Sequence, residues 1–440
     1  MEQFSKMYDG FPVLFSSGVN AIDSTINSLM IENEWKPVHL VYGSELYCDS
    51  PRCFKYLSNM FPNLVQLHKV NITDDEKIKS IFTENTDRRI IFYFETCSNP
   101  SGDVFNFDIL EELKTINPNS RIVVDNTWIT SAIFNPFMYK EIDVVVNSLT
   151  KYYGGGKSGI LGVSISRTKD FSNILFDYAR IKGFHISPIY CEAVLNNIPT
   201  LKERINKSYN ITQEVVDTLS KLDIEILYPL LWSNTSYNKA KKFFLDSGPS
   251  VFSFVINEKK DKAMEILKNS KYDCTTSFGS ATSRFDSWHV NKKKRTICRF
   301  SVGYDDNKED IINEFKKMFN DKLIEDKIVI EVLSRGKSKS LTIAQIPGRR
   351  PRRVDLLYSD PDEYAFAILY FTGSKIFNTI QRQRALDLGY SLNEHGLYNM
   401  ISGKKGAKVK NKFPTEKSIF DFLGMEYREP KDRINSGSLK

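Results

Sequence analysis

The sequence predicts an α/β protein: a mostly parallel sheet covered on both faces, then a smaller α+β unit, then a third α+β unit of different character. Three observations point there. Residues 1–205 alternate short β-branched runs with amphipathic stretches. Residues 206–320 surround one strong strand with helical patterns. Residues 321–440 carry 22 Lys and Arg against 15 Asp and Glu, while the 320 residues before them carry 39 of each sign.

The first unit is read from "VHLVY" (38–42), "IIFYFET" (90–96), "RIVVDNT" (121–127), "DVVVNSL" (143–149) and "GILGVSIS" (159–166). These runs are apolar almost throughout rather than alternating, as strands buried on both faces are. Amphipathic stretches such as 103–116 and 131–141 supply the helices between them. The second unit is expected to hold a long helix near 206–222, the strand "SVFSFVIN" (250–257), a helix near 260–269 and a closing helix near 307–319. In the third, "KSKSLTIAQIPGRRPRRVDLLY" reads as a hairpin whose connection is rich in Gly, Pro and Arg. The helix "GSKIFNTIQRQRALDLG" follows, then a Gly/Lys loop at 402–412, then "EKSIFDFLGM". No internal repeat is present.

At 440 residues two or three domains are expected, and 41% apolar content is enough to build their cores. The start, "MEQFSKMYDG", has neither a basic nor an apolar leader segment. No apolar run nears the ~18 residues of a membrane span. Cys48, Cys53, Cys97, Cys191, Cys274 and Cys298 are scattered without a CxxC pair, as in a chain that keeps its thiols reduced. An intracellular, soluble protein is the expectation. The excess positive charge at the C-terminal end is the footprint of a module that meets phosphate.

Four features fall in order in the first half. "SSGVNAI" (16–22) places Ser-Ser-Gly before a helix, where free amides and a glycine suit a phosphate. "VVDNT" (123–127) ends a strand with Asp125, and "NSLTKYYGGG" (147–156) ends another with Ser148, Thr150 and Lys151. Ligands of such sheets sit at the carboxyl ends of strands, so Asp125 and Lys151 can converge. An amine that condenses with an aldehyde, a carboxylate that pairs with a pyridinium nitrogen, and hydroxyls and amides for a phosphate together suit pyridoxal phosphate.

In order and wording, "SSGVNAI", "ELYCDSPRCF", "ETCSNP", "VVDNT", "NSLTKYYGG" and "CRFSVGYDD" resemble the Cys/Met-metabolism (trans-sulfuration) family of pyridoxal-phosphate enzymes, across about residues 10–320. The resemblance implies the aspartate-aminotransferase fold type. It makes Lys151 the imine-forming lysine, Asp125 the pyridinium partner and Tyr47 the residue stacked on the ring. Gly18, Val19, Ser148 and Thr150 would hold the phosphate, and Asn99 the ring hydroxyl. Arg299 and Ser283 would grip the substrate α-carboxylate, a task that suits an arginine. The family's N-terminal Tyr-Ser-Arg…Asn-Pro-Thr motif, which reaches a neighbouring subunit's cofactor, has no counterpart here. A homo-oligomer is therefore expected to lack part of its usual contact.

The basic third unit, "LSRGKSKS…RRVDLLYSDPDEYAFAILYFTGSKIFNTIQRQRALDLGYSLNEHGLYN…EKSIFDFLGMEYREPKDR", resembles the end of the palm and the thumb of family X (polymerase-beta-like) DNA polymerases, over about 322–433. The resemblance makes Asp355 a metal carboxylate, holding Mg²⁺ near a primer 3′-hydroxyl, with Arg353 beside it. Tyr370, Phe371 and Gly373 would line the sugar pocket of an incoming nucleotide. Asn378 would reach its base, and Arg382 the template strand, with Glu394 supporting the thumb. Two-metal transfer needs carboxylates around cations roughly 3.5–4 Å apart. The family's Asp-x-Asp strand and Gly-Ser nest have no counterpart before residue 322.

The expected organisation is thus a large domain (1–205) and a small domain (206–320) of the pyridoxal-phosphate fold, followed by a partial palm and thumb (321–440). The expected activity is that of a trans-sulfuration-type lyase or transferase acting on a sulfur amino acid, with DNA or a nucleotide as partner of the basic module. Two alternatives stand beside it. One is a DNA-directed nucleotidyltransferase of DNA repair using Asp355. The other is a non-catalytic DNA-binding protein on a retired enzyme scaffold.

Overall fold

The computed structural model describes residues 1–156, 159–222, 224–289, 295–325, 329–335, 339–345 and 350–433. It divides into two compact units, Met1–Met318 and Phe319–Lys440. The first is built on a seven-stranded sheet. Its strands are β1 (Phe11–Phe15), β2 (Val38–Gly43), β3 (Val65–Val70), β4 (Arg89–Glu95), β5 (Arg121–Asp125), β6 (Val144–Ser148) and β7 (Gly162–Ser166). Their order is β1-β7-β6-β5-β4-β2-β3. The ladders joining β2 to β6 are parallel, and only β7 runs against its neighbours.

Burial explains the sequence pattern. Every residue from Ile90 to Glu95 and from Ile122 to Asp125 is buried, as in a sheet covered on both faces. One covering helix, Gly18–Glu32, starts at Ser17, which has an extended backbone and whose Oγ accepts the Asn20 N–H at 3.0 Å. Its Ala21, Ile22, Ile26 and Leu29 pack into a core with Phe15, Leu40, Tyr93 and Val146. That packing fixes the helix's first turn over the edge of β6.

The stretch 131–141 is not a helix. It holds one 3₁₀ turn, Pro136–Met138, capped by the Asn135 side chain on the Phe137 N–H at 3.0 Å. Pro136 lacks the N–H that a helix needs there, and its ring would clash with an upstream carbonyl. The buried rings of Phe134 and Phe137 produce the helical spacing without a helix.

A five-stranded sheet follows in the same unit: β8 (Ile226–Leu227), β9 (Val251–Ile256), β10 (Asp273–Cys274), β11 (Arg284–His289) and β12 (Thr296–Ser301), in the order β10-β11-β12-β9-β8. The helices Leu201–Leu219, Lys260–Lys268 and Lys308–Glu325 stand close to their expected places. Phenylalanines pack within the sheet, with Phe285 and Phe300 centroids at 4.6 Å, and bind it to the last of these helices, with Phe254 and Phe315 at 4.9 Å.

The second unit opens with a three-stranded meander of β13 (Val329–Arg335), β14 (Lys339–Ala344) and β15 (Arg352–Leu357). The expected hairpin is the β14–β15 pair, and residues 346–349 of its connection lie outside the described residues. Helices Tyr364–Thr372, Lys375–Asp387 and Glu416–Phe422 enclose a core of Phe366, Leu369, Phe377, Ile419 and Phe420. The expected Gly/Lys loop is instead part of a second meander of β16 (Tyr390–Asn393), β17 (Gly396–Ile401) and β18 (Lys404–Lys408). Ser402 and Gly403, with φ of 49° and 75°, make its turn. Among the described residues no helix is long and apolar enough to cross a membrane.

Candidate cofactor site

The strands β1 to β6 all run the same way, so their carboxyl ends open on one edge of the sheet. A cavity of about 210 Å³ lies there. Ser17, Gly18 and Val19 follow β1. Tyr47 follows β2, Glu95 and Asn99 come from the end of β4, and Asp125 and Thr127 from the end of β5. Ser148, Thr150 and Lys151 close β6, and Ile160 precedes β7. Trp128 and Phe278 complete the wall.

Lys151 Nζ donates to Ser277 Oγ at 3.2 Å and lies 5.1 Å from the centre of the Phe278 ring. Burial, reinforced by the guanidinium groups of Arg299 and Arg284, lowers its pKa to about 8. Asp125 is buried, accepts the Tyr93 hydroxyl at 3.0 Å and the Thr127 N–H at 2.9 Å, and is pushed above the ordinary carboxylate range by that burial. Thr127 Oγ1 in turn accepts the Ser148 N–H at 2.8 Å, tying the ends of β5 and β6 together. Gly18 sits against Ser148 so closely that a Cβ there would meet the serine Cβ at 2.8 Å. The Tyr47 hydroxyl donates to Asp49 at 3.1 Å, and burial first, then Asp49, raises its pKa to about 12.

Gly18, Val19, Tyr47, Asn99, Asp125, Ser148, Thr150 and Lys151 are therefore brought together. Arg299 stands behind the wall, with Nη1 donating to Asn99 Oδ1 at 2.9 Å and its guanidinium carbon 5.7 Å from the Phe278 ring centre. Ser283 is not among the lining residues. It is buried, its Oγ accepts the Gly303 N–H at 2.9 Å, and its own N–H reaches Asp306 at 2.5 Å. Sequence reasoning missed Glu95, although "ETCSNP" marked the end of its strand. Glu95 is buried, accepts the Tyr47 N–H at 2.5 Å, and is held well above the ordinary carboxylate range by burial and by Asp125. Ser277, Phe278 and Asp286 carried no local signal.

These groups fit pyridoxal phosphate. A buried amine with a lowered pKa, a buried carboxylate across the same cavity, and a helix N-terminus packed without a side chain against Ser148 offer donors and acceptors for an aldehyde, a ring nitrogen and a phosphate.

In the second unit, Tyr370, Asn378 and Arg382 border a hollow of about 10 Å³, room for a single water. Arg382 lies 4.9 Å from the Tyr370 ring centre and 3.7 Å from Glu394. Asn378 Nδ2 donates to the Tyr370 carbonyl at 2.7 Å, and Gly373 leaves room for its side chain. Phe371 is edge-on to Tyr370 at 4.9 Å and half exposed. Asp355 pairs with Arg353 Nε at 2.9 Å and Lys339 Nζ at 3.4 Å, and the Arg353 hydrogen bond holds its carboxyl below the usual range. The metal expected at Asp355 has no ligand set in view: among the described residues no three His, Cys, Asp or Glu side chains gather to hold one.

Comparison with known proteins follows the same division. Residues 367–434 match the DNA polymerase beta thumb. DNA polymerase lambda of Rattus norvegicus is 39% identical over 115 residues, which are 24% of this chain and 20% of that polymerase. L-methionine gamma-lyase of Fusobacterium nucleatum subsp. nucleatum is 26% identical over 326 residues, covering 69% of this chain and 78% of the relative. Cystathionine gamma-lyase from yeast superposes with a TM-score of 0.63 at 21% identity, over 72% of this chain and 83% of that one. The metB structure from Corynebacterium glutamicum gives 0.64 at 19% identity, with coverages of 72% and 83%. The fold is thus that of pyridoxal-phosphate enzymes of the aspartate-aminotransferase type. With residues 3–320 matched to its profile, the chain belongs to the Cys/Met metabolism PLP-dependent enzyme family.

Proposed function

We propose that residues 1–320 bind pyridoxal phosphate and act as a lyase or transferase on a sulfur amino acid, the large domain being 1–205 and the small domain 206–320. One observation carries the reading: the Lys151 amine and the Asp125 carboxylate open on a single cavity at the carboxyl edge of the sheet. Bound there, the cofactor supplies an electron sink for the bonds at a substrate's α-carbon. The Lys151 amine would hold the cofactor's aldehyde carbon and would move a proton at the substrate's α-carbon. Asp125 keeps the ring nitrogen protonated, Tyr47 covers the ring, and Asn99 meets its hydroxyl. Gly18, Val19, Ser148 and Thr150 take the phosphate. Arg299 takes the substrate carboxylate, reaching it beside Asn99.

The test is direct. Pyridoxal phosphate added to the purified chain is expected to give a visible absorbance band and, after borohydride reduction, a mass increase on the peptide that contains Lys151. Lys151→Ala is expected to lose both. A chain that stays colourless with excess cofactor overturns the reading. Release of a 2-oxo acid from L-methionine, L-cystathionine or L-homocysteine then identifies the substrate.

A second reading concerns residues 321–440, taken as a partial palm and thumb. We infer that this unit holds DNA without transferring nucleotides. The Arg382–Tyr370 stack, in a segment matching a polymerase thumb, supports the holding, and the two cations on Asp355 support the lack of transfer. Affinity for a gapped duplex should fall steeply with salt. It should weaken in Arg382→Ala and be unaffected by Asp355→Ala. Primer extension that Asp355→Ala abolishes would reverse the assignment.

A further inference from the structure

We propose that Asp286 makes the Arg299 subsite selective for zwitterionic amino acids over simple carboxylates. This rests on the reading that Arg299 takes the substrate carboxylate.

Asp286 and Arg299 are direct partners in the antiparallel β11–β12 ladder, so their side chains leave the sheet on the same face. Arg299 Nη2 donates to Asp286 Oδ2 at 2.9 Å, while Nη1 donates to Asn99 Oδ1 at 2.9 Å. The arginine side chain is 5% exposed and the aspartate 13%. The guanidinium therefore meets its substrate already neutralised, with a carboxylate beside it at low solvent exposure.

Two anions sharing one buried cation repel each other strongly, because little water screens them. A simple carboxylate that approaches Arg299 pays that repulsion in full. A zwitterion carries its own ammonium, whose charge offsets part of that repulsion. The pair is thus complementary to a dipolar molecule, and Arg299 alone would be complementary to any anion. A purely structural counter-ion would hold Arg299 in place without altering this preference.

The experiment titrates the chain, as isolated, with propionate and with L-alanine, followed by saturation-transfer NMR. The wild type is expected to prefer L-alanine. Asp286→Asn keeps the shape and removes the charge, and it is expected to tighten propionate roughly tenfold while L-alanine changes much less. Arg299→Lys is expected to weaken both. If the asparagine variant does not fold, Asp286→Ser removes the same charge and repeats the comparison. Propionate affinity that is unchanged or weaker in the neutral variant, while Arg299→Lys weakens it, overturns the selectivity role alone. If Arg299→Lys leaves both ligands unaffected, the reading of Arg299 falls, and this inference with it.

Discussion

Asp125 of β5 stands opposite Glu95 of β4 in the parallel ladder, and both carboxyl groups are buried at the edge of one cavity. Asp125 accepts two hydrogen bonds, from the Tyr93 hydroxyl and the Thr127 N–H, and these favour its ionised form. Glu95 accepts the Tyr47 N–H and faces the charge of Asp125. Two such groups cannot both ionise cheaply, and burial together with the Asp125 charge raises the Glu95 carboxyl well above its ordinary range.

Glu95→Gln should therefore stabilise the chain near neutral pH. A carboxyl whose folded pKa is raised binds more proton folded than unfolded, so its contribution is most favourable at low pH and is lost as pH rises. Removing it should gain stability at about pH 8, and the gain should shrink as pH falls toward the ordinary glutamate value of 4.5. Urea melts at a series of pH values measure this, and a variant equally destabilised at every pH refutes the raised Glu95 carboxyl.

Cofactor capture should follow the Lys151 amine. Its folded pKa of about 8 lies below the ordinary 10.5, so the neutral amine becomes abundant as pH rises through about 8. The same shift penalises the fold below that pH, and the penalty is relieved between about 8 and 10.5. The rate at which the visible band forms should rise with a midpoint near 8. Arg284→Met removes one of the cations that depress the amine and should move the midpoint upward. An unmoved midpoint would show that Arg284 takes no part in setting it.

Gly18→Ala should lose both stability and cofactor. The added methyl would meet Ser148 Cβ at 2.8 Å, and either the helix start or the end of β6 must shift. Overpacking of this kind costs about 1–3 kcal/mol. Because both displaced segments line the cavity, pyridoxal phosphate affinity should fall by more than the loss of stability explains. Equilibrium dialysis alongside denaturant melts separates the two.

Arg433→Met should unfold the second unit selectively. Arg433 is 2% exposed and donates to Glu416 at 2.6 Å, Thr372 at 2.6 Å and the Arg428 carbonyl at 2.9 Å, with the Phe420 ring 5.4 Å away. Removing one partner of a buried ion pair costs about 3–5 kcal/mol. Hydrogen exchange should rise across residues 364–433 and remain unchanged across the sheet of β1–β7.

Much of the candidate site is legible in the sequence. Ser17-Gly18-Val19, Asp125 and Ser148-x-Thr150-Lys151 each sit just past an apolar run, and parallel strands deliver such residues to one edge. The helix misread at 131–141 shows the limit of spacing: Phe134 and Phe137 are buried from a turn, and Pro136 was the better guide. The Gly/Lys stretch at 402–412 read as a loop because a hairpin arm made of lysines has no apolar alternation to announce it.

Which residues end strands, which start helices and where the charge lies are local properties of backbone and side chain, and the order of amino acids alone carries them. That Glu95 faces Asp125, that Ser277 meets Lys151 across 126 positions, and that Arg299 reaches Asn99 across 200 while paired to Asp286 follows from the assembled fold. Those pairings depend on strand order and register. These are set by how whole sheets bury their faces, and no short window of sequence contains that information.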